Sequence, residues 1–269
     1  MDPIVTDFDT DLNKVTAQLD FIEVIRKFTA HIPQHDDPSL ATPFGVEALA
    51  VHDGAKCIHS NLPLASGTLI LYTCGRFEAM ARLLFEDLCQ RLATNAGSFA
   101  RLPKKMRTNL PIFTAKVISE PRKYGHAENG VRAFVTTLAS NLAVDATVER
   151  VNHQCLSLTE ANMRSDVLAD LFGRIGADSI WSQISEQATL KAFFHEADSK
   201  QVESKARRKL DDLMELRNRI AHPSGELEWP SIDSLREYIQ YLRLLAKSMS
   251  ELTYVYENTL CAPKAIKEI

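Results

Sequence analysis

Apolar residues recur at intervals of three and four positions along most of this 269-residue chain. In the first such segment, from about Asp9 to His31, they are Leu12, Val15, Leu19, Ile22, Ile25 and Phe28. This spacing places the side chains on one face of an α-helix, which can bury them against other helices. The spacing returns in further segments, at 66–94, 131–142, 167–175, 199–221 and 233–258. Alternation of apolar and polar residues is rare and short, so the sequence predicts an all-α protein.

The segment from residue 33 to residue 63 breaks this periodicity. It is interrupted by Pro38, Pro43, Gly45 and Gly54, residue types that favour turns over helix interiors. We interpret it as a connection that lets the first helix lie beside a main body. The sequence thus predicts an N-terminal helix with its linker over residues 1–62 and a helical domain over residues 63–269.

Composition excludes several classes of protein. The five cysteines are scattered, with no C-x-x-C pair, so we expect reduced thiols rather than a disulfide framework or a zinc cluster. The N-terminus carries acidic residues where a signal peptide has lysines and an apolar run. No segment approaches the roughly 18 apolar residues of a membrane span. We therefore expect a cytoplasmic protein without membrane attachment.

The chain offers no convincing metal site. His31 and His35, with Asp36 and Asp37, have ligand side chains, but Pro33 breaks the helical spacing between the two histidines. No further cluster of ligands follows them in the sequence. We interpret this segment as a solvated linker and predict neither a metal nor another cofactor.

One segment, residues 215–223, combines residue types that can do chemistry. Pro223 disfavours the α conformation at His222, so we expect a helix that ends near Ala221. Arg217 is a permanent cation whose forked donors suit a phosphate. On an ideal helix, five residues place Arg217 and His222 about 140° apart. The two side chains converge only if the helix end redirects His222, or if a second copy of the helix faces this one. The alternative is that both residues merely stabilise the helix end.

Residues 217–222 resemble the R-N-x-x-x-H signature of the HEPN superfamily, and residues 76–84 resemble an early helix of its RiboL-PSP-HEPN branch. The likeness covers roughly residues 66–258 and leaves residues 1–62 without a counterpart. It implies an antiparallel helical bundle, here with an additional N-terminal helix, that forms a homodimer by facing its motifs across a two-fold axis. Many members are metal-independent endoribonucleases of toxin–antitoxin and antiviral defence systems, often regulated by an antitoxin or another partner protein.

The resemblance implies a role for each residue of the motif. His222 would act as a base on the 2′-hydroxyl of RNA or as an acid on the leaving 5′-oxygen. Arg217 would hold the phosphate and stabilise its developing charge, and Asn218 would position these groups by hydrogen bonds. The expected product is a 2′,3′-cyclic phosphate. The alternative is a HEPN-like module in a toxin–antitoxin or defence complex that binds RNA, a nucleotide or a protein without cleavage.

A formal net charge of −4 means that RNA binding would depend on local basic clusters. Residues 200–219 contain seven Lys and Arg against four Asp and Glu, a local charge of +3. Residues 101–107 contain four cations and no acid, and we expect them to form a loop. Such charge runs are also typical of solvated faces. The candidate RNA-binding residues are Arg101, Lys104, Lys105, Arg107, Arg207, Arg208 and Arg219.

Overall fold

The computed structural model describes residues 2–32, 38–58, 62–125, 128–144, 146–223 and 229–261. Within these ranges the chain is helical and contains no β-strand, which confirms the all-α prediction. The α-helices are α1 (Pro3–Ala30), α2 (Pro43–Ile58), α3 (Leu62–Ala96), α4 (Lys104–Ser119), α5 (Glu128–Leu142), α6 (His153–Leu156), α7 (Ser165–Gly173), α8 (Ile180–Ser185), α9 (Ala188–Phe193), α10 (Ser199–Ala221) and α11 (Ile232–Thr259).

Helix α3 is the centre of the bundle, and α1, α10 and α11 pack around it. Helix α10 runs antiparallel to α11, because Tyr241 donates a hydrogen bond to the carbonyl of Ala206 and Lys209 pairs with Glu237. Helices α3 and α11 run in the same direction, since Arg91 pairs with Glu257 near both carboxyl ends. The carboxyl end of α10 therefore lies beside the first half of α3.

The additional N-terminal helix shares the core of the bundle. Phe8 on α1 is 1% exposed, and its ring lies 6.2 Å from that of Phe77 on α3. Ion pairs also join α1 to α3 and to α11. Arg76 on α3 lies 2.5 Å from Asp11, and Arg243 on α11 lies 2.5 Å from Asp9. Burial of a large apolar side chain contributes about 1.5–3 kcal/mol, so the apolar stripe of α1 stabilises the bundle directly.

The start of α1 lies earlier than the apolar spacing predicts. The Asp2 carboxylate accepts a hydrogen bond from the backbone N–H of Ile4 at 2.8 Å and caps the helix. Pro3 occupies the first helical position, where a missing N–H costs no hydrogen bond. Asp2 and Pro3 together mark the start of α1, and the spacing of apolar residues does not reveal them.

Two expectations about the connections are wrong. The segment after the first helix contains α2, which begins at Pro43. The basic segment is a loop only in part, because Arg101 ends a short 3-10 helix and Lys104 begins α4 directly after Pro103. Pro43 occupies the first position of α2, where its fixed φ angle suits the helix. Pro103 lies just outside α4 as its N-cap residue.

Cys74, Cys89, Cys155 and Cys261 carry free thiols, and the first three are buried. None of the described helices combines the length and the apolar character needed to cross a bilayer.

Candidate functional site

Helix α10 presents the residues of the motif at its carboxyl end. The helix ends at Ala221, as predicted, and His222 leaves the helical conformation with φ −132° and ψ 68°. The backbone N–H of His222 still donates to the carbonyl of Asn218 at 2.9 Å. The imidazole is exposed and makes no hydrogen bond or ion pair with the described residues. His222 is therefore held by its backbone while its side chain stays accessible.

Asn218 is the hydrogen-bonding centre of the motif. Its Oδ1 accepts from Nη1 of Arg217 at 3.2 Å and also from the side-chain amide of Asn162. All three side chains are half-buried. Two donors on one oxygen restrict the rotation of the Asn218 amide, so the Arg217 guanidinium has a defined neighbour on one side.

Arg217 lies on the face of α10 that points toward α3. Burial raises the pKa of the Cys74 thiol to about 12, the negative charge of Glu78 adds to the rise, and the positive charge of Arg217 opposes it. The guanidinium is thus close enough to this part of α3 to act on its charges. The structure contains no hydrogen bond between Arg217 and His222 among the described residues, in keeping with their 140° separation on the helix.

The segment between α6 and α7, the 157–164 loop, is hydrogen-bonded to both α3 and α10. Three residues of α3 bind it: Glu86 accepts from the hydroxyl of Ser157, Arg82 donates to Thr159 at 2.5 Å, and Glu78 accepts from the backbone N–H of Met163 at 3.1 Å. The loop carries Asn162 to Asn218. Polar side chains of α3 therefore set the position of the residue that orients the motif.

Helix α10 binds the end of the same loop through Asp211. One oxygen of the carboxylate accepts from the backbone N–H of Ser165 at 2.7 Å, and the other accepts from its hydroxyl at 2.8 Å. Ser165 begins α7, whose N-terminal N–H groups lack partners within the helix. Asp211 acts as a cap from another helix, and it fixes the loop on the α10 side.

Sequence reasoning missed these supporting residues. Glu78, Arg82 and Glu86 are four positions apart and form a line of charged residues along one face of α3, a signal visible in the sequence. Nothing in the local pattern distinguishes Asn162 or Asp211 from other polar residues, because each acquires its partner only through packing.

The candidate RNA-binding residues do not gather around the motif. Glu78 binds Met163, the neighbour of the residue that contacts Asn218. From Glu78 to Ala96, the end of α3, the helix rises about 27 Å. The chain beyond Ala96 carries Arg101, Lys104, Lys105 and Arg107, at the other end of the bundle. Lys105 there pairs with Asp178 at 2.6 Å.

Three further candidates lie on α10 itself. Arg207 pairs with Glu203 at 3.4 Å and lies 5.9 Å from the ring centre of Trp181, so its charge is partly compensated. Arg208 and Arg219 are exposed, and neither makes an ion pair with the described residues. Of the predicted cations, Arg219 is the one within a single helical turn of His222.

The described residues contain no group of three or more His, Cys, Asp and Glu side chains placed to hold a metal ion. The candidate ligands His35, Asp36 and Asp37 lie outside the described residues.

Comparison with known proteins identifies one family. The RiboL-PSP-HEPN family, described by its sequence model, matches residues 51–254, which include α3 to α10 and most of α11. Helix α1 lies outside the matched range. No curated protein and no solved structure matches the chain.

Proposed function

The chain belongs to the RiboL-PSP-HEPN family, and from this membership we propose that it is a metal-independent endoribonuclease with its catalytic centre at Arg217, Asn218 and His222. One observation carries the proposal: the chain of hydrogen bonds from Asn162 through Asn218 to Arg217 holds a guanidinium in a defined orientation near the end of α10, and that helix end carries an accessible imidazole. A half-buried cation with a restricted orientation is suited to an anion whose charge grows during a reaction.

The chemistry assigns one step to each group. His222 takes the proton of the 2′-hydroxyl or protonates the leaving 5′-oxygen, since imidazole exchanges protons near neutral pH. The 2′-oxygen attacks the adjacent phosphorus, the bond to the 5′-oxygen breaks, and a 2′,3′-cyclic phosphate results. Arg217 binds the phosphate and stabilises its charge, while Asn218 holds the guanidinium.

A homodimer completes the proposed site. Within one protomer Arg217 points toward α3 and His222 leaves the helix end in another direction. A two-fold axis near the carboxyl end of α10 would place the Arg217 of one copy opposite the His222 of the other. The dimer thereby supplies both the acid and the base that in-line displacement needs.

The biological setting is part of the proposal. We place the protein in the cytoplasm as a toxin or an antiviral defence effector, with RNA as its substrate and an antitoxin or defence protein as its partner. Family membership supports this setting, although one fold hosts many functions.

A second candidate function is a HEPN module that binds RNA, a nucleotide or a protein without cleavage. It is favoured by the position of Arg217, which points toward α3 and makes no hydrogen bond with His222 among the described residues. In this case the motif serves recognition alone.

The basic residues at the other end of the bundle give a separate test of RNA binding. If Lys104, Lys105 and Arg107 contact phosphates, their replacement by Glu weakens RNA binding and flattens its salt dependence. An unchanged affinity removes them from the RNA-binding surface. Arg207, Arg208 and Arg219 are tested in the same way by replacement with Ala.

The decisive experiment is an RNA cleavage assay in EDTA, on total transfer RNA and on an unstructured transcript. The wild type should produce 2′,3′-cyclic phosphate ends, and both His222→Ala and Arg217→Ala should abolish cleavage with the thermal unfolding temperature nearly unchanged. His195→Asn and Arg132→Ala are matched controls, because both replace exposed residues away from the carboxyl end of α10. Binding without cleavage by the wild type would instead support the second candidate function.

A further inference from the structure

A cleft of about 630 Å³ lies between the second half of α10 and the start of α11. We call it the α10–α11 cleft, and its lining includes Asp212, Glu215, Arg219, Trp229, Ser231 and Tyr238. Neither Arg217 nor Asn218 lines it, so it is distinct from the catalytic centre proposed above. Its volume is in the range of small-ligand sites, which extend from about 300 to 1,000 Å³.

The charged groups of this cleft are without charged partners among the described residues. Asp212, Glu215 and Arg219 are exposed, and none of the three takes part in an ion pair or a side-chain hydrogen bond there. Neighbouring charges on the same helices are paired, such as Lys209 with Glu237 at 2.6 Å. The cleft therefore presents acceptors and a forked donor to a ligand that carries both kinds of group.

Two aromatic side chains form part of its walls. The Trp229 ring lies against α3 at Gly67, where an added Cβ would be 2.3 Å from the ring carbon Cζ3. The absence of a side chain at Gly67 is what lets the ring take this position. Tyr238 is half-buried on α11, and the Nζ of Lys209 lies 4.8 Å from its ring centre. Aromatic walls beside unpaired polar groups are typical of sites that bind nucleobases.

We propose that the α10–α11 cleft binds a guanine base of single-stranded RNA, an inference that rests on the proposed function. Guanine is the one common RNA base with two adjacent donors, N1–H and the N2 amino group, and a carboxylate of Glu215 or Asp212 can accept from both. Its opposite edge carries the acceptors O6 and N7, which match the forked donors of Arg219. Adenine and cytosine have a single amino group beside an acceptor nitrogen, and uracil has one N–H between two carbonyls.

The position of the cleft relates the base to the reaction. Arg219 precedes His222 by three residues, a rise of about 4.5 Å along α10. A nucleotide whose base occupies the cleft thus has its phosphate near the helix end that carries the imidazole. We infer that this base sets where the RNA is cut.

A second cavity favours a strand of RNA over a free nucleotide. It has a volume of about 180 Å³, shares Trp229, Pro230 and Ser231 with the α10–α11 cleft, and extends to Arg26 on α1. Arg26 is exposed and makes no ion pair with the described residues. Arg26 therefore places a cation in the cavity next to the α10–α11 cleft, where it can bind the phosphate of a neighbouring nucleotide.

Tryptophan fluorescence tests the proposal without cleavage. The chain has two tryptophans, and Trp181 is only 2% exposed, so quenching on addition of RNA reports on Trp229. Full-length His222→Ala is titrated with hexamers of uridine that contain a single guanosine, inosine, adenosine or no replacement. We expect the guanosine hexamer to bind about tenfold more tightly than the inosine hexamer, which lacks the N2 amino group.

Further substitutions in the His222→Ala protein test whether the α10–α11 cleft is the source of the preference for guanosine. Glu215→Gln combined with Asp212→Asn should abolish the preference for guanosine, whereas Glu251→Gln, an exposed carboxylate elsewhere on α11, should retain it. Equal affinities for all four hexamers, or an unchanged preference in the cleft variant, would overturn the proposal. Guanosine monophosphate that binds as tightly as the hexamer would refute RNA as the source of the base. Saturable binding of an arginine-rich peptide, with no binding of any hexamer, would overturn the proposal and indicate that the cleft binds a protein partner.

The two proposals fail in different ways. Cleavage by the wild type with no preference for guanosine would refute the guanine site and leave the endoribonuclease in place. Guanosine-dependent quenching in a protein that does not cleave RNA would support the guanine site and refute the endoribonuclease.

Discussion

The side-chain amide of Asn162 donates a hydrogen bond to Oδ1 of Asn218, across 56 residues of sequence. This bond ties the 157–164 loop to α10 directly beside Arg217, which donates to the same oxygen. The motif at the end of α10 is therefore not a property of one helix. Its geometry depends on a loop that α3 holds from the other side.

Replacement of Asn162 by Ala should impair catalysis more than stability. Without its donor the Asn218 amide can rotate, and the Arg217 guanidinium loses its defined orientation. We expect a fall in kcat for RNA cleavage and a loss of about 1 kcal/mol in the free energy of unfolding, the usual value of one hydrogen bond. Asn258→Ala is the control, because the exposed Asn258 side chain donates to the carbonyl of Tyr254 within the same helix. An unchanged kcat in Asn162→Ala would show that the loop does not position the motif.

Truncation of Phe8 should destabilise the whole bundle, although Phe8 lies outside the range matched by the family. The side chain is 1% exposed against α3, and Phe→Ala in such a position costs about 3–5 kcal/mol. Phe21, on the same helix, is 59% exposed, so Phe21→Ala should change stability by about 0.5 kcal/mol or less. Chemical denaturation followed by far-UV circular dichroism measures both. A separate early transition for α1 would show that it unfolds independently.

Glu86 should contribute to stability in a pH-dependent way. Burial raises the pKa of its carboxyl. The His153 imidazole, 3.3 Å from the carboxylate, and the hydrogen bond from Ser157 outweigh burial and hold that pKa below its usual value. A lowered pKa stabilises the folded state above the unfolded value of about 4.3, and the contribution disappears as the pH falls through the folded pKa. The difference in Tm between the wild type and Glu86→Gln should thus be large near neutral pH and shrink in acid.

The control for this pH experiment is Glu251→Gln, which changes an exposed carboxyl on α11. Glu251 lies 4.0 Å from Lys247, and an exposed ion pair contributes about 0–1 kcal/mol, so the difference in Tm should stay small in each buffer used. A difference for Glu86→Gln that grows on acidification would contradict the assigned direction.

Two glycines of α3 should respond oppositely to alanine. A Cβ at Gly75 meets nothing within 4 Å, so Gly75→Ala should stabilise the protein by about 0.8–1.0 kcal/mol through helix propensity. A Cβ at Gly67 would lie 2.3 Å from the Trp229 ring, and Gly67→Ala should lose this gain as the ring is displaced. Thermal unfolding measures the first effect, and the Trp229 emission maximum measures the second. Identical stabilisation by both substitutions would show that the ring does not rest on Gly67.

The sequence by itself determined the fold class and the end of the helix that carries the motif. Apolar spacing predicts the buried faces of α1, α3, α10 and α11, and Pro223 predicts the end of α10 at Ala221. Apolar spacing missed the start of α2, because proline serves both as a helix start and as a helix breaker. It also missed the start of α4, where basic residues without an apolar stripe resemble a loop. The division at residues 62 and 63 stays a prediction.

Only the tertiary structure decided what surrounds Arg217. Asn162 reaches Asn218 and Ser165 reaches Asp211 because α3 and α10 pack side by side and leave room for the 157–164 loop. The same packing turns Glu215, Arg219 and Trp229 into one cleft. Helical periodicity records which face of a helix avoids water, and this property depends on the residue types of that helix alone. The polar partner that a side chain meets depends on how helices distant in sequence are placed, and no local pattern encodes that placement.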